Sequence, residues 1–518
     1  MKEEILGFQK RITDLDELNL EDTIKYVYSC GLYQKEEFIA VFTSELYIVL
    51  PIRPKNLHIY AKLINEVIIL DVSRDLTRIL IDSFIDLLYL RSDENDTNGK
   101  IMIFRLYYLC SKENPRIIDL IVRKLHELMN ENTKKINFLA LSLVFFGGTI
   151  KNIDNTLFVQ LFEYVKSQVG NISMNKTIKE MLTGFSSIDD INWDLLNDLS
   201  EFGHRKHSTQ WAIFYDQIDK LQEIASTPGF NPNHVFDDMV FEKSTMIQAQ
   251  PNLVQYAALF GSIDCFKYLF LNHCELHSKD RWSQSLASFA VAGGNMDIIH
   301  ILLQKNISFD DTLEAAIEFR QYEVFHWLFD ELSSRMDKKY LLEESLSFSC
   351  IYNNLYVTDF IFSNGLSPNC TLQSIEWSPL HFGLVHSHIS VVIYLLSIPE
   401  FNTNIRDKAG ETPLVFACKR GNPDIVKYLV NDHRVDVNES DQYGWTPLHY
   451  SCNHNQEKIV SILLSSLAIN VNIYSSRQEL PIDIAISKGY RNIKNMILVK
   501  MGKKTDEDSN EKNGCTIQ

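Results

Sequence analysis

Two histidines sit in nearly identical settings, Ser378-Pro379-Leu380-His381 and Thr446-Pro447-Leu448-His449. An imidazole beside a hydroxyl could act as a general base or ligate a metal through a ring nitrogen. Neither histidine has a partner acid or nucleophile at a fixed spacing, so the pattern of a hydrolytic triad is missing. The run His273-Cys274-Glu275-Leu276-His277 carries metal-binding side chains, but no second Cys/His pair completes a tetrahedral set, and it reads as a polar loop. Asp237-Asp238 with Glu242 reads as a solvated acidic loop. The chain contains no G-x-S-x-G, G-x-x-x-x-G-K-[ST], G-x-G-x-x-G or H-E-x-x-H motif. No catalytic, cofactor-binding or metal-ligating residue is assigned, no cofactor is expected, and the chain is not expected to be an enzyme.

The elements that carry these histidines recur. The stretch 441–464, DQYGWTPLHYSCNHNQEKIVSILL, reads as one unit. Gly444 permits a tight turn. Thr446 can cap free backbone N–H groups, and Pro447 suits the first helical position. A second helix from about Gln456 places Ile459, Val460, Leu463 and Leu464 on one face. One such hairpin cannot bury that face alone. Equivalent starts stand at Ser378, Thr412, Thr446 and Leu480, in steps of 34 residues. The second helix continues upstream as a column: DIVKYLV at 424–430, SVVIYLL at 390–396, YVTDFIF at 356–362, EVFHWLF at 323–329, DIIHILL at 297–303 and DCFKYLF at 264–270. Small residues recur in the first helix (Ala257, Ala290, Ala316, Ser349, Gly383, Ala417, Ser451, Ala485). Gly261, Gly294, Gly421 and Gly489 suit left-handed turns between helices. A further unit is expected at 211–225, with Ala212 as its small residue, and the unit from about Asp311 is short and lacks a turn finger.

The T-P-L-H start and the period resemble the ankyrin repeat. The run 254–303 is also similar to the diverged ankyrin class of large protist families whose domains carry no assigned function. The resemblance implies an all-α fold, a solenoid of about eight or nine helical hairpins with short β-turn fingers. It implies that His381 and His449 are structural, bonding the backbone of neighbouring turns. Cys452 aligns with Cys418 and Ala258 in a core column and reads as a small apolar filler.

The chain has 518 residues, enough for more than one domain. Residues 1–200 show no repeat and read as a mostly helical N-terminal domain, with apolar residues at helical spacing in 76–90, 101–110, 115–129 and 158–169. This domain is expected to cap the first repeat, because a solenoid end exposes apolar surface. Asn114-Pro115 marks a helix start, and residues 38–50, β-branched and aromatic, could hold a short strand. A break in composition falls near 186–207. Residues 208–500 carry the solenoid, and 502–518, with almost no apolar content, read as disordered. The net charge of −17 disfavours broad contact with nucleic acid or an anionic membrane. MKEEILGFQK does not read as a secretory signal. The longest apolar run, 138–146, is too short for a bilayer and reads as a buried helix. Nine irregularly spaced cysteines without C-x-x-C read as reduced thiols of an intracellular, cytoplasmic or nuclear protein.

The expected function is protein–protein recognition without catalysis. In the ankyrin family, finger residues just before T-P-L-H contact partners. The matching fingers are Asp280–Gln284, 373–377, Asp407–Glu411, Asp441–Trp445 and Ser475–Glu479. Their partner-binding candidates are Arg281, Trp282, Trp377, Lys408, Glu411, Tyr443, Trp445 and Arg477. Large aromatics and Arg dominate interface hot spots; the bland alternative is that the rings fold back and stabilise the stack. Two other readings stay open: an adaptor presenting a client to an effector such as a ubiquitin ligase through residues 1–200, and an enzyme with an unrecognised site there. Neither nucleic acid nor membrane insertion is expected.

Overall fold

Each repeat starts where the sequence supplies a cap. Thr412 accepts the N–H of Val415 through its side chain, with Pro413 opening the helix. Pro379, Pro447 and Pro481 open the equivalent helices, where a missing N–H costs nothing. Gly421 and Gly294 close their helices in the left-handed region, at φ 82° and 72°. The computed structural model describes residues 2–29, 41–43, 45–46, 49–50, 54–69, 97–130, 136–168, 196, 199, 204–236, 245–372, 376–386 and 388–502. The fold is all-α. The described residues contain no strand, and two isolated bridges pair Val235 with Asn252 and Leu372 with Trp377.

The chain divides into two compact units, Gly7–Leu332, and Ser333–Gln518 with Met1–Leu6. The first contains helices α1 (Lys2–Thr13, from Gly7), α2 (Leu20–Ser29), α3 (Leu57–Ile69), α4 (Thr97–Glu113), α5 (Pro115–Asn130), α6 (Ile136–Ile153) and α7 (Asn155–Gln168). Four hairpins follow in it: α8 (Thr209–Phe214) with α9 (Ile218–Ala225), α10 (Leu253–Leu259) with α11 (Ile263–Leu271), α12 (Leu286–Gly293) with α13 (Met296–Gln304), and α14 (Leu313–Glu318) with α15 (Tyr322–Ser333). The unit expected at 211–225 is the first of these, and Ala212 is fully buried. Residues 305–312 alone separate α13 from α14, against 272–285 between α11 and α12, so the short unit does lack room for a finger.

The helices expected over 101–110, 115–129 and 158–169 are α4, α5 and α7, and the run 138–146 lies in buried α6. The helix expected at 76–90, the acidic cluster Asp237-Asp238/Glu242 and nearly all of 186–207 and 502–518 lie outside the described residues. Among the described residues of 38–50 no strand is found: 41–43, 45–46 and 49–50 are helical. Val41, Phe42, Leu46, Val49 and Leu50 are buried, a spacing that a helix face satisfies as well as a fully buried strand. Tyr60 donates its hydroxyl to Ile12 O at 2.8 Å, and Phe8 and Phe42 meet with ring centroids 5.7 Å apart, tying α1, α3 and the segment around 42 into one core.

Inner helices come very close in this unit. A Cβ on Gly293 would stand 2.0 Å from Ala258 O, so α10 and α12 touch through backbone.

The second unit contains five hairpins: α16 (Lys338–Ile351) with α17 (Leu355–Ser363), α18 (Pro379–Val385) with α19 (Ile389–Leu396), α20 (Pro413–Arg420) with α21 (Pro423–Asn431), α22 (Pro447–Asn453) with α23 (Glu457–Ser465), and α24 (Pro481–Ser487) with α25 (Arg491–Lys500). Asparagines link successive repeats. The Asn404 side chain accepts Asp436 N–H at 2.9 Å and donates to Arg434 O at 2.7 Å. Asn438 does the same with Asn470 N–H and Ala468 O, both at 2.7 Å, and Asn369 with Asn402 N–H and Glu400 O. Arg434, held by Asp432, donates back to the carbonyls of Leu396, Ile398 and Pro399 at the end of α19.

Candidate partner-binding site

The fingers share one construction. In Asp407–Glu411 the Gly410 N–H bonds Asp407 O at 2.9 Å and the Asp407 N–H bonds Glu411 O at 3.0 Å. This is a tight turn followed by a left-handed residue. The Asp407 carboxylate accepts the N–H groups of Ala409 and Glu411. Asp441 repeats this with Tyr443 and Trp445, at 2.9 and 2.8 Å, and Asp280 with Trp282 and Gln284. Ser475 substitutes a hydroxyl, accepting from Arg477 and Glu479 at 3.3 Å. Ser283 and Gln478 take the left-handed position that Gly410 and Gly444 fill elsewhere. The first finger residue is thus a turn cap, a role the sequence reading missed although Asp recurs at 280, 407 and 441.

This construction sorts the candidates by position. Second and third finger residues are tips: Arg281, Lys408 and Arg477 are exposed, as are Trp282 (48%) and Tyr443 (61%). Fifth residues face inward. Trp377 is half-buried, with its ring edge-on to Phe382 at 5.2 Å and Phe416 at 5.4 Å. Trp445 is half-buried, 5.0 Å from the Tyr450 ring and stacked on His449 at 6.0 Å. Glu411 is 6% exposed, with Lys419 Nζ 2.7 Å from its Oε1. Trp377 therefore packs onto the next repeat, and Trp445 and Glu411 onto the inner helix that follows them, whereas the sequence had placed all three with the exposed residues. A finger position alone does not reveal that its side chain points back at the next inner helix.

Adjacent fingers brace one another in the second unit. Ser476 N–H donates to Tyr443 O at 2.9 Å, and Arg406 donates to Ser440 O at 2.6 Å and pairs with Glu439. This brings Lys408, Tyr443 and Arg477 together on consecutive tips. Arg281 and Trp282 lie on a finger of the first unit.

The two T/S-P-L-H histidines are structural, as the resemblance implied. His381 Nδ1 accepts the Ser378 N–H at 3.2 Å, so Nε2 carries the proton and donates to Glu411 O at 3.3 Å. A backbone N–H can only donate and a carbonyl only accept, which fixes the tautomer. His449 repeats this with Thr446 N–H and Glu479 O, both at 3.1 Å. Burial pushes the His381 pKa down to about 4 and lowers that of His449. Burial likewise raises Cys350, Cys418 and Cys452 to about 12, leaving them poor nucleophiles. His273 and His277 are exposed, and among the described residues no group of three or more His, Cys, Asp or Glu is placed to hold a metal ion.

A second signal that the sequence reading overlooked lies in the last turns of the inner helices. In the first unit these positions hold Leu259, Phe260, Ala292, Phe319 and Arg320. All but Phe260 are buried, and Phe260 is half-buried. The chain's own N-terminal segments meet two of them, Phe260 and Arg320. Arg320, wholly buried, donates to Thr13 Oγ1 at 2.8 Å and pairs with Glu45 at 3.1 Å. Lys55 Nζ donates to Phe260 O at 2.8 Å and sits 5.5 Å from the Phe214 ring centroid; desolvation of that ammonium pushes its pKa down to about 8. Buried His204 bonds the Tyr256 hydroxyl at 3.1 Å, and burial lowers its pKa to about 3. In the second unit the equivalent positions of the last three repeats hold Lys419 and Arg420, Asn453 and His454, and Ser487 and Lys488, all exposed but half-buried Asn453.

Four matches to the ankyrin-repeat family model fall at residues 254–340, 346–441, 398–475 and 433–509. The chain is an ankyrin-repeat protein over that region. Ankyrin repeats are generally protein–protein interaction modules. No curated protein matches the chain. Among the described residues no helix is long and apolar enough to cross a membrane.

Proposed function

We propose that this protein recognises a partner protein without catalysis, through the finger tips and inner-helix face of residues 379–500. Lys408, Tyr443 and Arg477 make the contacts, while Trp377, Trp445 and Glu411 keep the fingers rigid. Arg281 and Trp282 supply a further tip. Residues 1–200 act as a scaffold domain for the solenoid of 208–500 rather than as a catalytic one.

The observation that carries the reading is Tyr443. Its ring is 61% exposed, yet its backbone is fixed on both sides, by Asp441 and by Ser476. An exposed aromatic on an immobile turn loses little entropy on binding, which favours a hot spot over a fortuitous surface ring. The test is affinity capture from native lysate with the full chain, alongside melting curves. Tyr443→Ala should lose the captured protein with an unchanged melting temperature. Trp445→Ala should lower the melting temperature, because its ring packs on His449 and Tyr450. Undiminished capture by Tyr443→Ala would sink the reading.

A further inference from the structure

Each hairpin passes from inner to outer helix through one left-handed residue. The N–H of the residue after it returns to the small residue of the inner helix: Gln321 to Ala316 O at 2.9 Å, Gln456 to Ser451 O at 3.0 Å and Tyr490 to Ala485 O at 2.9 Å. Among the described residues, seven other hairpins fill the left-handed position with Gly261, Gly294, Gly421, Gly489, Asn353, Asn455 or Asp216, types that tolerate it. The hairpin of α14 and α15 fills it with Arg320, at φ 53°. A long side chain is strained there, and such a residue persists only where its surroundings hold it.

The turn does not require an arginine. The link back to the preceding turn comes from the residue after the left-handed one: Gln321 donates to Ala292 O at 2.6 Å, as Asn295 donates to Gly261 O at 3.0 Å. The Arg320 guanidinium reaches instead to segments more than 270 positions earlier. It donates to Thr13 Oγ1 at 2.8 Å and pairs with Glu45 at 3.1 Å. Gln9 donates to both oxygens of that carboxylate at 3.2 Å, and all four side chains are buried. Two hairpins earlier, Lys55 Nζ donates to Phe260 O, next to left-handed Gly261. The N-terminal segments thus meet the line of turns at two places, α10–α11 and α14–α15.

We propose that the Arg320 side chain is a clasp: it docks the chain's N-terminal segments and does not serve the fold of its own repeat, so that losing its contacts frees those segments while the repeats stay folded. The inference is independent of the recognition reading above. Physical balance favours it. Attraction within a buried ion pair only roughly offsets the desolvation of its two charges, and the left-handed backbone adds strain on the same side. The hairpin is held by apolar burial, with Val324, Phe325 and Leu328 of α15 all out of water. The polar clasp should therefore give way before the hairpin does.

The test is amide hydrogen exchange of the full chain, read by mass spectrometry, for wild type, Arg320→Asn and Glu45→Gln. Arg320→Asn supplies the residue type that Asn353 and Asn455 place at this turn. Glu45→Gln keeps the size of the side chain and removes its charge. Both variants should speed exchange over 7–13 and 57–69 at least about tenfold and leave 313–332, the repeat that carries Arg320, within about twofold.

Unchanged exchange over 7–13 in the two variants would overturn the inference. So would equal acceleration of 7–13 and 313–332, or failure of Arg320→Asn to fold, since either would make Arg320 part of its own repeat's fold. The Tyr443 capture experiment is unaffected by any of these outcomes.

Discussion

The repeats of residues 245–332 and those of 379–500 share one hairpin but use its inner face in opposite ways. In the first set the last turns of the inner helices are apolar or carry Arg320, and Thr13, Glu45 and Lys55 of the N-terminal segments meet them at Arg320 and Phe260. In the second set the same positions carry Lys419, Arg420, His454 and Lys488 in solvent. The hairpin core is indifferent to the change: Ala257 and Ala417, Phe266 and Val426 are buried alike. The backbone of a repeat is thus decided by a few core and turn positions, and its use by two or three positions in one helical turn.

The comparison breaks most sharply at Glu45. Glu45→Ala would take a wholly buried carboxylate away from the wholly buried Arg320 guanidinium, costing about 3–5 kcal/mol. Lys419→Ala removes a pair that is half in solvent and should cost at most about 1 kcal/mol. Denaturant unfolding of the two variants should separate them clearly; equal, small losses would mean that the N-terminal helices do not depend on the repeats of their own unit.

Acid should act on both sets through different histidines. His204 and His381 are held near 3 and 4, below the ordinary 6.5 of an exposed imidazole. Between those values the unfolded chain binds more protons than the folded one. Their contribution is therefore complete above pH 6.5 and is lost as pH falls through 6.5 toward 4 and then 3. The loss is on the order of 3–5 kcal/mol per histidine. His381→Asn should flatten the slope of stability against pH between 4 and 6.5, and an unchanged slope would remove His381 from this account.

The smallest contrast lies between two helical glycines. Gly293→Ala drives a Cβ to 2.0 Å from Ala258 O, a backbone atom that cannot swing away, and should cost about 1–3 kcal/mol. At Gly383 the nearest atom is Val391 Cγ1 at 2.8 Å, on a side chain that can rotate, so Gly383→Ala should fall at the lower end of that range or below it. Thermal melts would rank them, and the reverse order would show that the close approach of α10 and α12 is slack.

The repeat frame was legible because its signals are local. Thr446, Pro447 and Gly444 act within a few residues of themselves, and the 34-residue step needs no knowledge of partners. Exposure of Trp282 and Tyr443 could also be read, because third finger residues project from the turn. Trp445 could not, since its ring is claimed by Tyr450 of the following helix and finger spacing says nothing of that. The pairing of Arg320 with Glu45 joins residues 275 apart in sequence and leaves no periodic trace. The segment around 38–50 misled because β-branched and aromatic residues fill a buried helix as readily as a strand. The column Arg420, His454 and Lys488 was visible in the aligned repeats, and comparing it with Phe260, Gly293 and Phe319 would have shown that the two sets differ there.

Arg434 sets a rule for anyone who would cut this protein into pieces. Its guanidinium finishes α19 from one repeat further along, satisfying carbonyls at Leu396, Ile398 and Pro399. The stop signal for one hairpin is therefore spelled in its successor, and the thermodynamic boundary trails the sequence boundary by most of a repeat. A fragment ending at about residue 411 would look tidy in an alignment and have a frayed end in solution; one carried past Arg434 would be properly terminated.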